Sequence, residues 1–153
     1  MRHVASTVHA VTTLHDGVRH GILATAVSSL SFDPPSLLVC VNQTASLHNA
    51  LVQAELFAVN VLGLENRDVA EHFAKSRGAD RFTVGEWAEA HGAPVLLGGQ
   101  SALVCRRLDC HRFGTHTIFI GELVAAWHRR NGAPLTYYDR SYIDISGAPV
   151  STL

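Results

Sequence analysis

GILATAVSSLSFDPPSLLVCVNQTAS, residues 21–46, carries the strongest indication of the fold in this sequence. Residues 21–31 carry no charge and consist mostly of small and hydroxyl side chains. Residues 37–41 form an unbroken apolar run, short and β-branched enough to predict a buried strand rather than a helix. Asp33-Pro34-Pro35 lies between them and requires a turn or crossover, because proline fixes φ and cannot donate to a strand ladder. Two strands are therefore predicted to meet at a wall of hydroxyls, amides and backbone N–H groups.

This polar wall is suited to a flat ligand with polar edges and an anionic tail. The cluster at 42–46 precedes an apolar-periodic helix, for which Thr44 or Ser46 is the predicted cap. A helix start offers unpaired N–H groups to a phosphate. The alternative, which the pattern leaves open, is an ordinary core strand with Ser and Thr on its solvent face.

Turn residues and apolar spacing predict many strands and few helices in the rest of the chain. Asp16-Gly17 and Asn131-Gly132 predict tight hairpin turns. Strands are predicted over 8–14, 18–31, 57–62, 102–111, 115–128 and 134–138, and helices over 1–8, after 46, from 65 or 66 to Gly78, and over 85–91. About seven strands and two or three short helices favour a mainly β, antiparallel barrel over a parallel α/β sheet.

Length and composition predict one domain over residues 1–153, large enough to bury a real core. Only 16% of the residues are charged, which indicates that another subunit covers part of the surface. A net charge of −1 gives no electrostatic case for nucleic acid or a membrane surface. Three cysteines in no disulfide spacing, without a signal peptide or a long apolar run, predict a cytoplasmic chain with reduced thiols.

The chemical motifs that the sequence lacks narrow the function classes. Its ten histidines invite a metal site, but it has no HExxH or CxxC, and Cys105 and Cys110 are predicted on opposite faces of one strand. We therefore expect no metal. GxSxG, GxGxxG and the Walker A loop are also missing, which speaks against a hydrolase elbow and against Rossmann or P-loop nucleotide sites. These gaps favour chemistry carried by an organic cofactor, for which the protein supplies orientation and hydrogen bonds.

The stretch at 21–46 resembles the first signature of the flavin reductase family, small NAD(P)H:flavin oxidoreductases. The resemblance continues, in order, through residues 57–62, 69–74, 80–82, 92–96, 114–122 and 134–138. It implies a split β-barrel of Greek-key antiparallel topology that binds FMN or FAD and takes hydride from NADH or NADPH. It also implies a homodimer that supplies reduced flavin to a separate flavin-dependent monooxygenase.

The resemblance also implies individual site residues. Those implied to bind flavin are Thr25, Ala26, Val27, Ser28, Ser29, Ser31, Asn42, Thr44, Ser46, Phe73 and Arg81. His116 matches the His of the family's Gly-Asp-His segment, beside the nicotinamide, and is the implied catalytic residue. Thr115 stands where the family has Asp, Leu23 where Thr is usual and Thr25 where Asn is usual. These departures bear on the role of His116 and on flavin affinity.

Three rival functions remain at this stage. One is a flavin enzyme with another acceptor, such as a corrinoid or metal centre, or a pyridoxamine-phosphate-oxidase-like protein. Another is a flavin-binding module or sensor without turnover, and the third is a structural barrel that binds no flavin. The sequence also leaves open NADH against NADPH and FMN against FAD.

Overall fold

The structure is a computed structural model that describes residues 2–146. The predicted domain limits at 1 and 153, and the first residue of the predicted N-terminal helix, lie outside the described residues. The strands are β1 Ser6–Thr7, β2 His9–His15, β3 Val18–Ala24, β4 Val27–Phe32, β5 Pro35–Asn42, β6 Leu56–Val61, β7 Glu86–Ala90, β8 Ala93–Leu97, β9 Ser101–Phe113, β10 His116–His128, β11 Thr136–Tyr138 and β12 Ser141–Ile143. The α-helices are α1 His48–Gln53 and α2 Arg67–Lys75, and short 3₁₀ helices span Leu64–Asn66 and Gly78–Thr83. The chain is mainly β, as predicted.

Seven antiparallel strands form the main sheet, in the order β3-β2-β6-β9-β10-β5-β4. Its two edge strands, β3 and β4, are consecutive in the chain and are joined by only Thr25 and Ala26. The sheet must therefore curl until its two edges approach each other. The result is a barrel with a split between β3 and β4.

Alternating side chains fill the inside of this barrel. Val11 of β2 and Val39 of β5, which lie towards opposite ends of the strand order, belong to one buried cluster with Phe57 and Phe119. Only a curled sheet brings such strands together. Leu47 and Leu51, at the start and on the inner face of α1, pack into the same cluster and are fully buried.

A second buried cluster lies between the barrel and α2. Val69, Ala70 and Phe73 project from one face of α2 towards Val8 and Leu96. This is the face that the helical spacing predicts. The ring of Phe73 also meets those of Phe82 and Trp87, with centroids 5.4 Å and 5.3 Å away. The packing holds α2 and the 3₁₀ turn that follows it against β3, beside the split.

Several predicted elements are wrong in type or extent. Within the described part of 1–8 there is a short strand, β1, in place of a helix. Within residues 85–91 the chain forms the strand β7, Glu86–Ala90, in place of a helix, because His91 and Gly92 turn the chain at positive φ into a hairpin with β8. The predicted strand over 18–31 breaks at Thr25-Ala26, where the chain passes from one sheet edge to the other.

The predicted ends of the helices and of the last hairpin also change. Neither Thr44 nor Ser46 caps α1, whose N-cap is Leu47 without a side-chain bond. The second helix ends at Lys75 rather than at Gly78. After Asn131-Gly132 the chain does not pair back onto β10; β11 pairs with β1 and β12 in a separate three-stranded sheet. Among residues 2–146, no helix has both the length and the apolar character needed to cross a membrane.

Candidate functional site

A cleft of about 430 Å³ lies at the split of the barrel. Its walls come from the end of β3, the connection to β4, the last residues of β5, the buried face of α2 and the first residue of β10. Six residues that the sequence singled out are among those lining it: Thr25, Ala26, Asn42, Phe73, Arg81 and His116. These residues are far apart in sequence, and the curling of the sheet brings them together.

Arg81 links three of the elements around the cleft. Its Nε donates to the carbonyl of Ser76 at 3.0 Å, and its Nη1 donates to the carbonyl of Gly21 and to the hydroxyl of Ser46 at 3.1 Å. Burial lowers the pKa of Arg81, and the nearby charge of Arg77 lowers it further. A guanidinium nevertheless stays cationic at physiological pH. The cleft therefore carries a fixed positive charge beside the hydroxyl of Ser46.

His116 lines the same cleft, at the start of β10. Thr115 Oγ1 is 2.8 Å from His116 Nδ1, which leaves Nε2 as the ring nitrogen available to a ligand. Gln43 also bonds to this turn, since its backbone N–H donates to the carbonyl of Thr115 at 2.9 Å. Its side-chain amide donates to the carbonyls of Gly114 and His116, each at 3.2 Å. The backbone and the side chain of Gln43 thus both hold the turn that carries the imidazole.

The loop between β5 and α1 is organised by Asn42. Both the backbone N–H and the hydroxyl of Thr44 donate to Asn42 Oδ1 at 2.9 Å. Asn42 lines the cleft, whereas Thr44 and Ser46 lie beside it, Ser46 in contact with Arg81. Since α1 has only six residues, its start is too short to act as the anion site that the sequence suggested.

Val27, Ser28, Ser29 and Ser31 do not line the cleft and instead line a neighbouring groove along β4. The hydroxyl of Ser31 donates to the carbonyl of Asp33 at 3.0 Å and accepts from its N–H at 3.1 Å, so it is engaged within the turn. Because β4 is an edge strand, its outer backbone N–H and C=O groups have no partner strand in the main sheet. A ligand in the cleft can therefore reach along β4 through backbone groups.

Residues 1–146 match the flavin reductase like domain family. The chain belongs to the flavin reductase family. It is 38% identical over 144 residues to "FMN reductase (NADH) RutF" of Pseudomonas syringae pv. syringae, covering 93% of this chain and 81% of that protein. With the reductase component of a 4-nitrophenol 4-monooxygenase/4-nitrocatechol 2-monooxygenase of Rhodococcus opacus it shares 42% identity over 137 residues, 89% of this chain and 72% of the relative.

Solved flavin reductases share the fold of the chain. An NADH:FAD oxidoreductase of Streptomyces globisporus, solved in complex with NAD and FAD fragments, superposes with a TM-score of 0.89 at 28% identity. The match covers 98% of this chain and 90% of that one. The split barrel that the resemblance implied is thus confirmed.

This flavin reductase domain has cleft residues that the sequence did not single out, including Ile22, Ala24, Cys40 and Ala74. The position of Cys40 could have been predicted from strand alternation. Leu37, Val39 and Val41 of β5 face the barrel interior, so strand alternation turns Cys40 the other way, towards the cleft. For Ala74 no local pattern marks a site, because its position depends on how α2 docks against β3.

No group of three or more His, Cys, Asp or Glu side chains among residues 2–146 is arranged to hold a metal ion. Of the three free cysteines, Cys105 is buried, whereas Cys40 and Cys110 are partly exposed. The site of this flavin reductase domain is therefore built from a guanidinium, an imidazole, amides, hydroxyls and edge-strand backbone.

Proposed function

We propose that this chain is an NADH- or NADPH-dependent flavin reductase that reduces FMN or FAD in the cleft at the split. The observation that carries the proposal is the joint presence of Arg81, Asn42 and His116 around one cavity in a chain of this family. Relatives named as FMN reductases (NADH) and as reductase components of monooxygenases support the activity.

The residues fit a flavin by their chemistry. The ring needs a flat space with hydrogen-bonding groups at its edge, and the small side chains at Thr25 and Ala26 with the free edge of β4 offer both. The phosphate needs a cation, which Arg81 supplies beside Ser46. The proposed flavin-binding set is Thr25, Ala26, Val27, Ser28, Ser29, Ser31, Asn42, Thr44, Ser46, Phe73 and Arg81.

A bound flavin would supply the hydride chemistry, and the chain would orient the reactants. His116 would meet the nicotinamide or the reduced ring with Nε2, because Thr115 engages Nδ1. An imidazole held in one orientation can donate or accept a proton at a fixed atom. We therefore propose His116 as the catalytic residue, with Thr115 and Gln43 setting its position.

We further propose that the chain works as a cytoplasmic homodimer and passes reduced flavin to a separate monooxygenase. Phe32 and Phe113, at two turns of the main sheet, are 96% and 81% exposed, which favours coverage by a second copy. Three free thiols favour a reducing compartment. Relatives that are reductase components support a separate oxygenase partner.

The test is the oxidation of NADH and NADPH, followed by loss of nicotinamide absorbance, with FMN, FAD or riboflavin added. Arg81→Ala should raise the KM for FMN by roughly tenfold, because a charge-assisted hydrogen bond is lost, but should leave that for riboflavin, which has no phosphate, nearly unchanged. Arg106→Ala removes an exposed arginine that does not line the cleft and serves as the matched control. If the wild-type protein consumes neither nicotinamide with any flavin, the proposal fails.

A further inference from the structure

A second compartment of about 250 Å³ adjoins the cleft. The two cavities share four wall residues, Leu23, Ala24, Thr25 and Ala74, so they form one continuous depression. Beyond this shared wall, the compartment is completed by Val8, Tyr137 and Tyr142. A ligand in the cleft can therefore extend into the compartment past Thr25 and Ala74.

The small sheet β1-β11-β12 places the two tyrosines side by side. Tyr137 and Tyr142 are directly paired across the β11–β12 hairpin, and their ring centroids are 5.5 Å apart in an edge-to-face arrangement. The hairpin turn has φ of 44° at Asp139 and 70° at Arg140, and the left-handed region is unfavourable for an arginine. The turn that places the Tyr137 and Tyr142 rings side by side therefore contains local backbone strain.

The compartment differs from the cleft in its chemistry. Among residues 2–146, no charged side chain lines it, whereas Arg81 lines the cleft. Burial raises the pKa of Tyr142, with Glu71 adding to the effect, so its phenol stays neutral. The guanidinium of Arg67 lies 5.9 Å from the centroid of the Tyr142 ring and holds it from outside. A neutral, aromatic-walled space favours a flat uncharged ring over a phosphate or carboxylate.

We propose that the Tyr137–Tyr142 compartment binds the adenine ring of a dinucleotide whose redox half lies in the cleft. The proposal rests on the proposed flavin reductase function and adds a base-binding subsite to it. The compartment has a volume of about 250 Å³ and is continuous with the cleft, so a flat ring can enter it from there. Adenine is carried by both NADH and FAD, and the experiment separates these two sources.

The decisive variant is Tyr142→Leu, which removes one aromatic ring but keeps an apolar side chain. Tyr142→Phe keeps the ring and should behave as the wild type. Tyr138→Leu is the control: Tyr138 lies in the partner strand of the same hairpin, but its side chain points to the other side of β11, 6.2 Å from the ring of His3, and does not line the compartment. It removes one tyrosine ring from the hairpin without touching the compartment.

Each variant is measured with two pairs of ligands that differ by the adenylate half. One pair is FAD and FMN, for which Kd is measured by titration. The other is NADH and reduced nicotinamide mononucleotide, for which KM is measured. If the adenine of FAD occupies the compartment, Tyr142→Leu raises the Kd for FAD by roughly tenfold, as expected for the loss of one base–aromatic stack, and leaves the Kd for FMN unchanged. If the adenine of NADH occupies it, the KM for NADH rises by a similar factor, and the KM for the mononucleotide does not change.

Two results would overturn the proposal. Equal weakening of both members of a pair would mean that the compartment holds the isoalloxazine or nicotinamide ring, or that the fold has loosened. No change in either pair would mean that it holds no part of these ligands. Failure of the proposed function looks different, because the wild-type protein itself would then oxidise no nicotinamide, while the FAD and FMN titrations would still show whether the compartment binds the adenine of FAD.

Discussion

The hydroxyl of Thr115 lies 2.8 Å from Nδ1 of His116, at the start of β10. A hydroxyl can donate to an imidazole nitrogen or accept from it, whereas a carboxylate only accepts. The Thr115 side chain therefore fixes the orientation of the ring without adding a negative charge to the cleft.

Thr115→Val should lower kcat for flavin-dependent NADH oxidation by roughly fivefold, because the loss of one hydrogen bond of about 1 kcal/mol frees the His116 ring. Its KM for FMN should stay near the wild-type value, since the residues proposed to bind flavin are untouched. Thr115→Ser restores the hydroxyl and should restore kcat. Steady-state kinetics of the three proteins check this, and equal rates in all of them would show that the bond has no role.

Asn60 should be the most stability-sensitive polar residue of the core. It is fully buried, and its amide donates to the carbonyl of Ala10 at 3.0 Å and accepts from the N–H of Leu96 at 2.9 Å. Asn60→Ala leaves the buried N–H of Leu96 without its partner, removes a second bond from the Ala10 carbonyl, and should lower the free energy of unfolding by about 2–3 kcal/mol. Denaturant unfolding measures the loss. Asn131→Ala, in an exposed turn, is the control and should change it by less than about 0.5 kcal/mol.

The three cysteines should differ in reactivity. Burial raises the pKa of Cys105 to about 12, so its thiolate, the reactive form, is scarce at neutral pH. Iodoacetamide should therefore label Cys40 and Cys110 in the folded protein and reach Cys105 only on unfolding. Added FMN should slow labelling at Cys40, which lines the cleft, and not at Cys110. Peptide mass spectrometry follows each site; labelling of Cys105 in the folded protein at the rate of the other two would contradict the burial argument.

Stability should fall on mild acidification because of His9. Burial lowers the pKa of His9, and backbone hydrogen bonds at Ala24 and Thr7 only partly oppose this. Below about pH 6.5 the unfolded chain takes up a proton at this site that the folded chain does not, so the free energy of unfolding decreases by up to about 1.4 kcal/mol per pH unit. Urea unfolding between about pH 5 and 7 measures this slope.

The matched variants isolate the contribution of His9. His9→Asn should make the slope shallower, because the group whose protonation differs between the two states is gone. His91→Asn removes an exposed histidine from a turn where Asn also tolerates positive φ, and it should keep the wild-type slope. A His9→Asn protein with the wild-type slope would place the acid sensitivity elsewhere.

Local signals predicted the elements they govern directly. The Asp16-Gly17 turn forms with φ of 51° and 71°, as the residue types require. The buried face of α2 follows its apolar spacing. At residues 85–91 the helix prediction is wrong, because Trp87 and Ala88 belong to a strand of a β-hairpin. The turn of that hairpin, His91-Gly92, lacks the Asn-Gly or Asp-Gly pair that predicts a tight hairpin turn elsewhere in the sequence.

The candidate site depended on longer-range information. Thr25 and Ala26 look like the middle of one strand, and only the closing of the sheet makes them a link between its two edges. Of the residues implied by family resemblance, six line the cleft, four line the β4 groove, and Thr44 and Ser46 lie beside the cleft. Tyr137 and Tyr142 were not linked to the site, because their position depends on a small sheet that docks through Leu135 against Val8 and Leu62.

The two-residue link between β3 and β4 has a consequence for the lifetime of the protein in the cell. A ligand seated in the split contacts both edges of one sheet, so it stabilises the folded state against their separation. Occupancy at a hundred times Kd adds about 2.7 kcal/mol to stability, and the unfolded fraction that proteases attack shrinks accordingly. The flavin-free protein is therefore degraded faster than the flavin-bound protein. The amount of this reductase in the cell then depends on how much flavin is available to it.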